Sequence, residues 1–163
     1  MKKFIIVFIA ILLVGCSDLT NIEPILRNIS FTAEMTYYNE YYEMLVDISD
    51  DGAAEIVVTQ PEELNGFRFK IVNDKLECEF EGIKFDVNND QKASAVNFLL
   101  LPFKEQNPSV YKNDNQFFMK GKCDGGEYIM YITESGLPLK IFDSSKRFEI
   151  TIKNLKVKKE KEP

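Results

Sequence analysis

The residues best suited to chemistry in this 163-residue chain define mostly what it does not do. There is no histidine, so a Ser-His-Asp triad, a Cys-His pair, an imidazole base and a His-containing zinc site are all ruled out. Ser109-Val110-Tyr111-Lys112 has the Ser-x-x-Lys spacing of penicillin-recognising enzymes, but the Ser-Asp-Asn and Lys-Thr-Gly motifs that complete that machinery are missing. Asp86, Asn88 and Asp90 open like a calcium loop. Its sixth position is Gln91 rather than Gly and its twelfth is Asn97 rather than Glu, which points to a solvated turn. Glu77, Glu79 and Glu81 could bring carboxylates together for acid–base work, but their spacing of two puts them on one wet strand face, with no apolar pocket to raise a pKa. No enzyme activity, metal or cofactor is expected. With 26 acidic against 20 basic side chains, a net charge of −6, nucleic acid is not expected as a partner.

One reactive side chain has a specific context. Lys2 and Lys3 precede an unbroken apolar run from Phe4 to Val14, which at ~1.5 Å per residue reaches roughly half of a ~30 Å hydrocarbon core, too short to span as a helix. Such a run is an export signal. It ends in Leu13-Val14-Gly15-Cys16, which resembles the bacterial lipobox, whose cysteine is diacylated and becomes the first mature residue. The expected attachment is therefore to the extracytoplasmic face of the cell membrane through a diacylglyceryl group on Cys16, two acyl chains giving the stable anchoring that one does not. Loss of residues 1–15 removes two lysines and takes the net charge from −6 to −8. Five lysines and two glutamates among residues 153–163 leave residues 16–152 at −11, and the charged tail 158–163 is read as a solvated end.

The elements behind these residues alternate with period two, as half-buried strands do. Phe31, Ala33, Met35 and Tyr37 alternate with polar residues; so do Tyr42, Met44, Val46 and Ile48; Phe67, Phe69 and Ile71; and Leu76, Cys78 and Phe80. The phase shifts at Glu81-Gly82, which predicts a bulge or bend before Ile83, Phe85 and Val87. A helical turn is expected around 22–29, within a lipidated tether 16–28. Residues 92–104 instead carry apolar side chains at helical spacing, predicting one buried helix. Further strands follow at 116–123, 127–133, 138–142 and 148–157. The fold expected is mainly β (α+β): a curved antiparallel sheet, or open half-barrel, of about eight or nine strands wrapped around one apolar helix, spanning 29–157.

Two cysteines remain in the fold. Cys78 and Cys123 both take inward phases, and in an exported protein they invite a disulfide; two separate buried thiols are the alternative. Tyr42, Met44, Phe67, Phe69, Phe80, Phe85, Phe98, Phe103 and Phe117 are expected on the concave side, either as plain core or as the lining of a cavity or groove.

The lipobox, the meander of strands, the apolar helix, and the sequence from Gly126 to Ile132 followed by Glu134-Ser135-Gly136-Leu137-Pro138-Leu139-Lys140 together resemble the LolA/LolB and LppX class of lipoprotein carriers, over roughly 29–157. That resemblance implies a half-barrel whose apolar concave face takes acyl chains or other amphiphiles. The Gly-Leu-Pro turn is physically apt, since Gly136 can take a positive φ and Pro138 can start a strand where its missing N–H is harmless. The composition also resembles clostridial germination lipoproteins of the GerS type, which implies an extracytoplasmic protein partner such as a cell-wall amidase. Two functions follow: a membrane-anchored module that binds a protein partner, and a carrier or sensor of a lipid ligand.

Overall fold

A computed structural model describes residues 18–72, 75–86, 91–123, 126–144 and 147–158. Cys16 and the signal run lie outside them, as do the 159–163 end and, of the calcium-like loop, Asn88 and Asp90. Twelve strands form one sheet: β1 (Asp18–Thr20), β2 (Ile29–Tyr37), β3 (Glu40–Ile48), β4 (Ala54–Gln60), β5 (Arg68–Val72), β6 (Lys75–Phe80), β7 (Ile83–Asp86), β8 (Val110–Asn113), β9 (Gln116–Cys123), β10 (Gly126–Ile132), β11 (Pro138–Asp143) and β12 (Phe148–Val157). Helix α1 (Gln91–Leu100) lies between β7 and β8.

The sheet order is β1-β8-β9-β10-β11-β12-β2-β3-β4-β5-β6-β7, antiparallel throughout and open at β1 and β7. Two meanders, β2–β7 and β8–β12, are joined by the pairing of β12 with β2. Register puts the apolar rows opposite each other, Ile150 and Tyr42 flanking Met35, and Ile152 and Met44 flanking Ala33. On one face the buried residues run from Val110 of β8 across to Cys78 of β6. Twelve strands at ~4.8 Å span about 53 Å, whereas a ten-residue helix is about 15 Å long. One such helix and its neighbouring turn can cover that face only if the sheet curls around them.

Twelve strands replace the eight or nine expected, for local reasons. At Glu81-Gly82 the chain reverses rather than bulges: both residues have positive φ (50° and 80°), the two-residue turn geometry that separates β6 from β7. Tyr38 and Asn39, also at positive φ, make the same kind of turn between β2 and β3. Strand β8 is only four residues long, too short for its alternation to stand out. Residues 18–28 are packed rather than a free tether: β1 pairs with β8, Leu26 is buried, and the Ile25 N–H donates to the Gly136 carbonyl at 2.9 Å. The helical turn expected at 22–29 is irregular chain leading into β2. Residues 92–104 are not one helix. Leu100 closes α1, and Pro102, which cannot donate an N–H to continue it, opens a 3-10 turn at Pro102–Lys104.

Candidate functional site

The concave side is divided between a filled half and an open cleft. In the filled half Phe98 of α1 stacks on Phe148 of β12, ring centroids 4.5 Å apart, and Tyr37 covers the other side of Phe148 at 4.4 Å. Phe103 stacks on Phe31 at 5.5 Å, and Leu99 and Leu100 are fully buried between. Phe98 and Phe103 are therefore core, not lining. Phe117 of β9 is half-buried against the core, with the Lys112 ammonium 5.2 Å from its ring centre. That position ties up the lysine of the Ser-x-x-Lys spacing.

The cleft lies over β2–β5, beside α1. It is lined by Met35 and Tyr37 (β2), Tyr42 and Met44 (β3), Val58 (β4), Leu64, Phe67, Phe69 (β5), and Ala95 and Val96 of α1. Its volume is about 80 Å³, or about 550 Å³ when all unoccupied space out to its open mouth is included. Of the expected lining, Tyr42, Met44, Phe67 and Phe69 are in it. Phe80 stands behind, its ring 5.5 Å from that of Phe67. The Phe85 side chain falls outside the described part of the structure. Met35, Tyr37 and Val58 were legible only as generic core positions. Leu64 and Ala95 gave no signal, because a leucine in a turn and an alanine in a helix line a cavity only through tertiary packing.

Local structure explains how each wall is held. Between β4 and β5 the chain makes a 3-10 turn, Glu62–Leu64, closed by the Leu64 N–H donating to the Pro61 carbonyl at 3.0 Å. Beyond it, Val58 donates to the Phe67 carbonyl and Gly66 to the Val58 carbonyl, each at 2.9 Å, so that Phe67 faces Val58 as if the ladder continued. Phe67 and Phe69 then lie with ring centres 4.8 Å apart. On the opposite wall the Tyr42 hydroxyl donates to a Glu40 carboxylate oxygen at 2.6 Å. That hydrogen bond, with partial burial, pushes the phenol up to about 12. Tyr42 therefore stays neutral at physiological pH and presents a polar tip beside an apolar wall, the arrangement that suits the boundary between a headgroup and a chain.

The remaining candidates do not assemble into a reactive centre. Cys78 is buried in β6 and Cys123 half-buried at the end of β9, strands eight steps apart in the sheet. They are thiols rather than the disulfide that was one of the two expectations. Glu77 and Glu79 sit on the outer side of β6 opposite Lys70 and Arg68, while Glu81 is in the turn, so the three acids share no face. Among the described residues, no three His, Cys, Asp or Glu side chains are grouped to hold a metal ion.

The molecule is thus a large open antiparallel sheet with few helices, and an apolar cleft lies between its β2–β5 part and α1. No protein-family model matches the chain, and a search of curated proteins found no match. Among solved structures it is similar to a LolA superfamily protein from Nitrosomonas europaea, at 9% identity over 80% of this chain and 85% of that one, with a TM-score of 0.42.

Proposed function

We propose that this chain is a non-catalytic, membrane-anchored binding protein that takes the alkyl chain of an amphiphile into the cleft between sheet and helix. The observation that carries this reading is the cleft itself: ten lining residues, none of them charged, with the Tyr42–Glu40 pair as a polar feature beside them. At about 80 Å³ it is well below the ~300–1,000 Å³ of pockets that bury a whole drug-sized ligand. The ligand is therefore a single chain whose end is buried and whose headgroup remains outside, not an engulfed phospholipid. The anchor is the diacylglyceryl group on Cys16, which supplies two chains for stable attachment. A role beside a cell-wall amidase in spore germination rests on the sequence resemblance alone, and no residue of the cleft speaks for that partner.

Native mass spectrometry of the purified protein, with a saturated fatty acid added, tests the cleft. One bound acyl chain is expected, and Ala95→Leu, which adds three carbons inside the cleft, should abolish it. A wild-type protein that stays empty while capturing a specific protein would overturn the lipid reading.

A further inference from the structure

The sheet was expected to have one apolar and one wet face, but the outer face of β8–β11 is not wet. Register aligns Leu19 of β1, Tyr111 of β8, Phe118 of β9 and Tyr131 of β10 in one cross-strand row. Phe142 of β11 adjoins it. Ring centres are 5.8 Å apart for Tyr111 and Phe118, 6.2 Å for Phe118 and Tyr131, and 5.7 Å for Tyr131 and Phe142. Leu19 is 69% exposed, and the four rings are only half-buried. The core accounts for none of them, since the inward residues of the same strands are Val110, Met119, Tyr128, Met130 and Ile141.

Charge separates this region from the outer face of β2–β4. Outward positions on β8–β11 hold Lys120, Lys122 and Lys140 against Glu127; Lys140 is paired with Glu149 of β12 at 2.8 Å, and the Lys120 ammonium lies 5.1 Å from the Tyr111 ring centre. Outward positions on β2–β4 hold Glu34, Glu43, Asp47 and Glu55 and no basic residue. In a chain of net −6, the strands that carry the aromatic stripe thus show more basic than acidic outward positions.

We infer that this stripe rests on the surface of the bilayer that holds the lipid anchor, with its aromatic rings at headgroup level and its lysines against anionic lipid. The inference builds on the Cys16 anchor proposed above. Cys16 is two residues before Asp18, the first residue of β1, and two residues of chain can span no more than ~7 Å. Strand β1 is hydrogen-bonded to β8, which carries Tyr111, and β9 with Phe118 is one step of ~4.8 Å further. A diacylated Cys16 therefore brings the bilayer to the edge of the sheet where the aromatic rings begin. Tyrosine is enriched at membrane–water interfaces, and lysines are drawn to an anionic leaflet.

The chain has no tryptophan, so one can be introduced as the only such reporter. Full-length lipidated Phe118→Trp is reconstituted on vesicles of phosphatidylglycerol and phosphatidylcholine, with or without bromine on the acyl chains, beside Leu45→Trp on the acidic half of the sheet. Expected are a blue shift and at least a twofold quenching by brominated chains for Phe118→Trp, with no change for Leu45→Trp. Tyr111→Trp serves if Phe118→Trp folds poorly. If the protein sediments with the vesicles but Phe118→Trp is quenched no more than Leu45→Trp, this inference fails and the anchor stands. If it does not sediment, both fail. Shielding of Phe118→Trp from aqueous iodide without quenching by brominated chains would mean self-association on this face, and would also overturn it.

Discussion

Gly136→Ala tests how the N-terminal segment is fastened to the sheet. Gly136 has φ +81°, and a Cβ there would overlap the Glu23 carbonyl oxygen and lie 3.3 Å from Pro24 Cα. The left-handed backbone costs an L residue about 1 kcal/mol. Relieving an overlap with main chain costs roughly another 1–3 kcal/mol. The shift also loosens the Ile25 N–H to Gly136 C=O bond, worth about 1 kcal/mol net. Together these give about 3–5 kcal/mol, or a fall in Tm of about 9–15 °C at ~3 °C per kcal/mol for a protein of this size. Gly66→Ala separates the parts, because Gly66 has φ +87° and a Cβ there would meet nothing within 4 Å. It should lose only the backbone contribution. Urea unfolding of both variants gives the difference, and hydrogen exchange should show the Ile25 amide losing protection in Gly136→Ala alone. If the two variants are equally stable, with Ile25 still protected, the segment is not held by the turn as described.

Phe148 is sandwiched between Tyr37 and Phe98, so Phe148→Ala should lose about 3–5 kcal/mol by chemical denaturation and release α1 from the sheet, seen as a loss of near-ultraviolet signal. At Gly121 a Cβ would lie 2.6 Å from the Tyr128 ring directly opposite it, so Gly121→Ala should cost about 1–3 kcal/mol on the same assay. Burial and the Glu105 carboxylate, 3.0 Å away, hold the Tyr128 phenol well above 10, and its hydrogen bond to Glu40 holds Tyr42 at about 12. Folding thus favours both protonated phenols. Their contribution is complete below pH 10 and is lost as pH rises from there towards the raised folded-state values, and the double variant Tyr42→Phe, Tyr128→Phe should lose less stability than wild type between pH 9 and 11 in urea titrations. Cys16→Ala should move the protein from the membrane to the soluble fraction and abolish uptake of labelled fatty acid.

Period-two alternation made the long strands legible, because their inner residues meet a core and their outer residues meet water or opposite charges. The short ones were not: β1 and β8 have three and four residues, and β1 pairs with β8 alone. Gly136 was readable as a positive-φ turn because glycine tolerates that geometry. The two-residue reversal at Glu81-Gly82 was not separable from a bulge, since both shift the alternation by the same phase. In the cleft, Tyr42, Met44, Phe67 and Phe69 showed as inward phases. Whether an inward aromatic lines space or fills it depends on where α1 lands: Phe98 and Phe103 fill, while Ala95 is small enough to leave room. The outer aromatic row was hidden for a related reason. Tyr111, Phe118, Tyr131 and Phe142 are far apart in sequence, and only the register across four strands makes them neighbours.

The seam between β12 and β2 sets an order in time. Strand β2 is paired at the centre of the sheet with Phe148–Val157, and all of β3–β11 lie between the two in the chain. Until that pairing forms, Ile29, Phe31, Ala33 and Met35 belong to an unfinished edge, and Phe148 is not yet there to receive Phe98. Until β12 is available that edge is open to pairing with a neighbouring chain, and the sheet is closed at its centre in one late step.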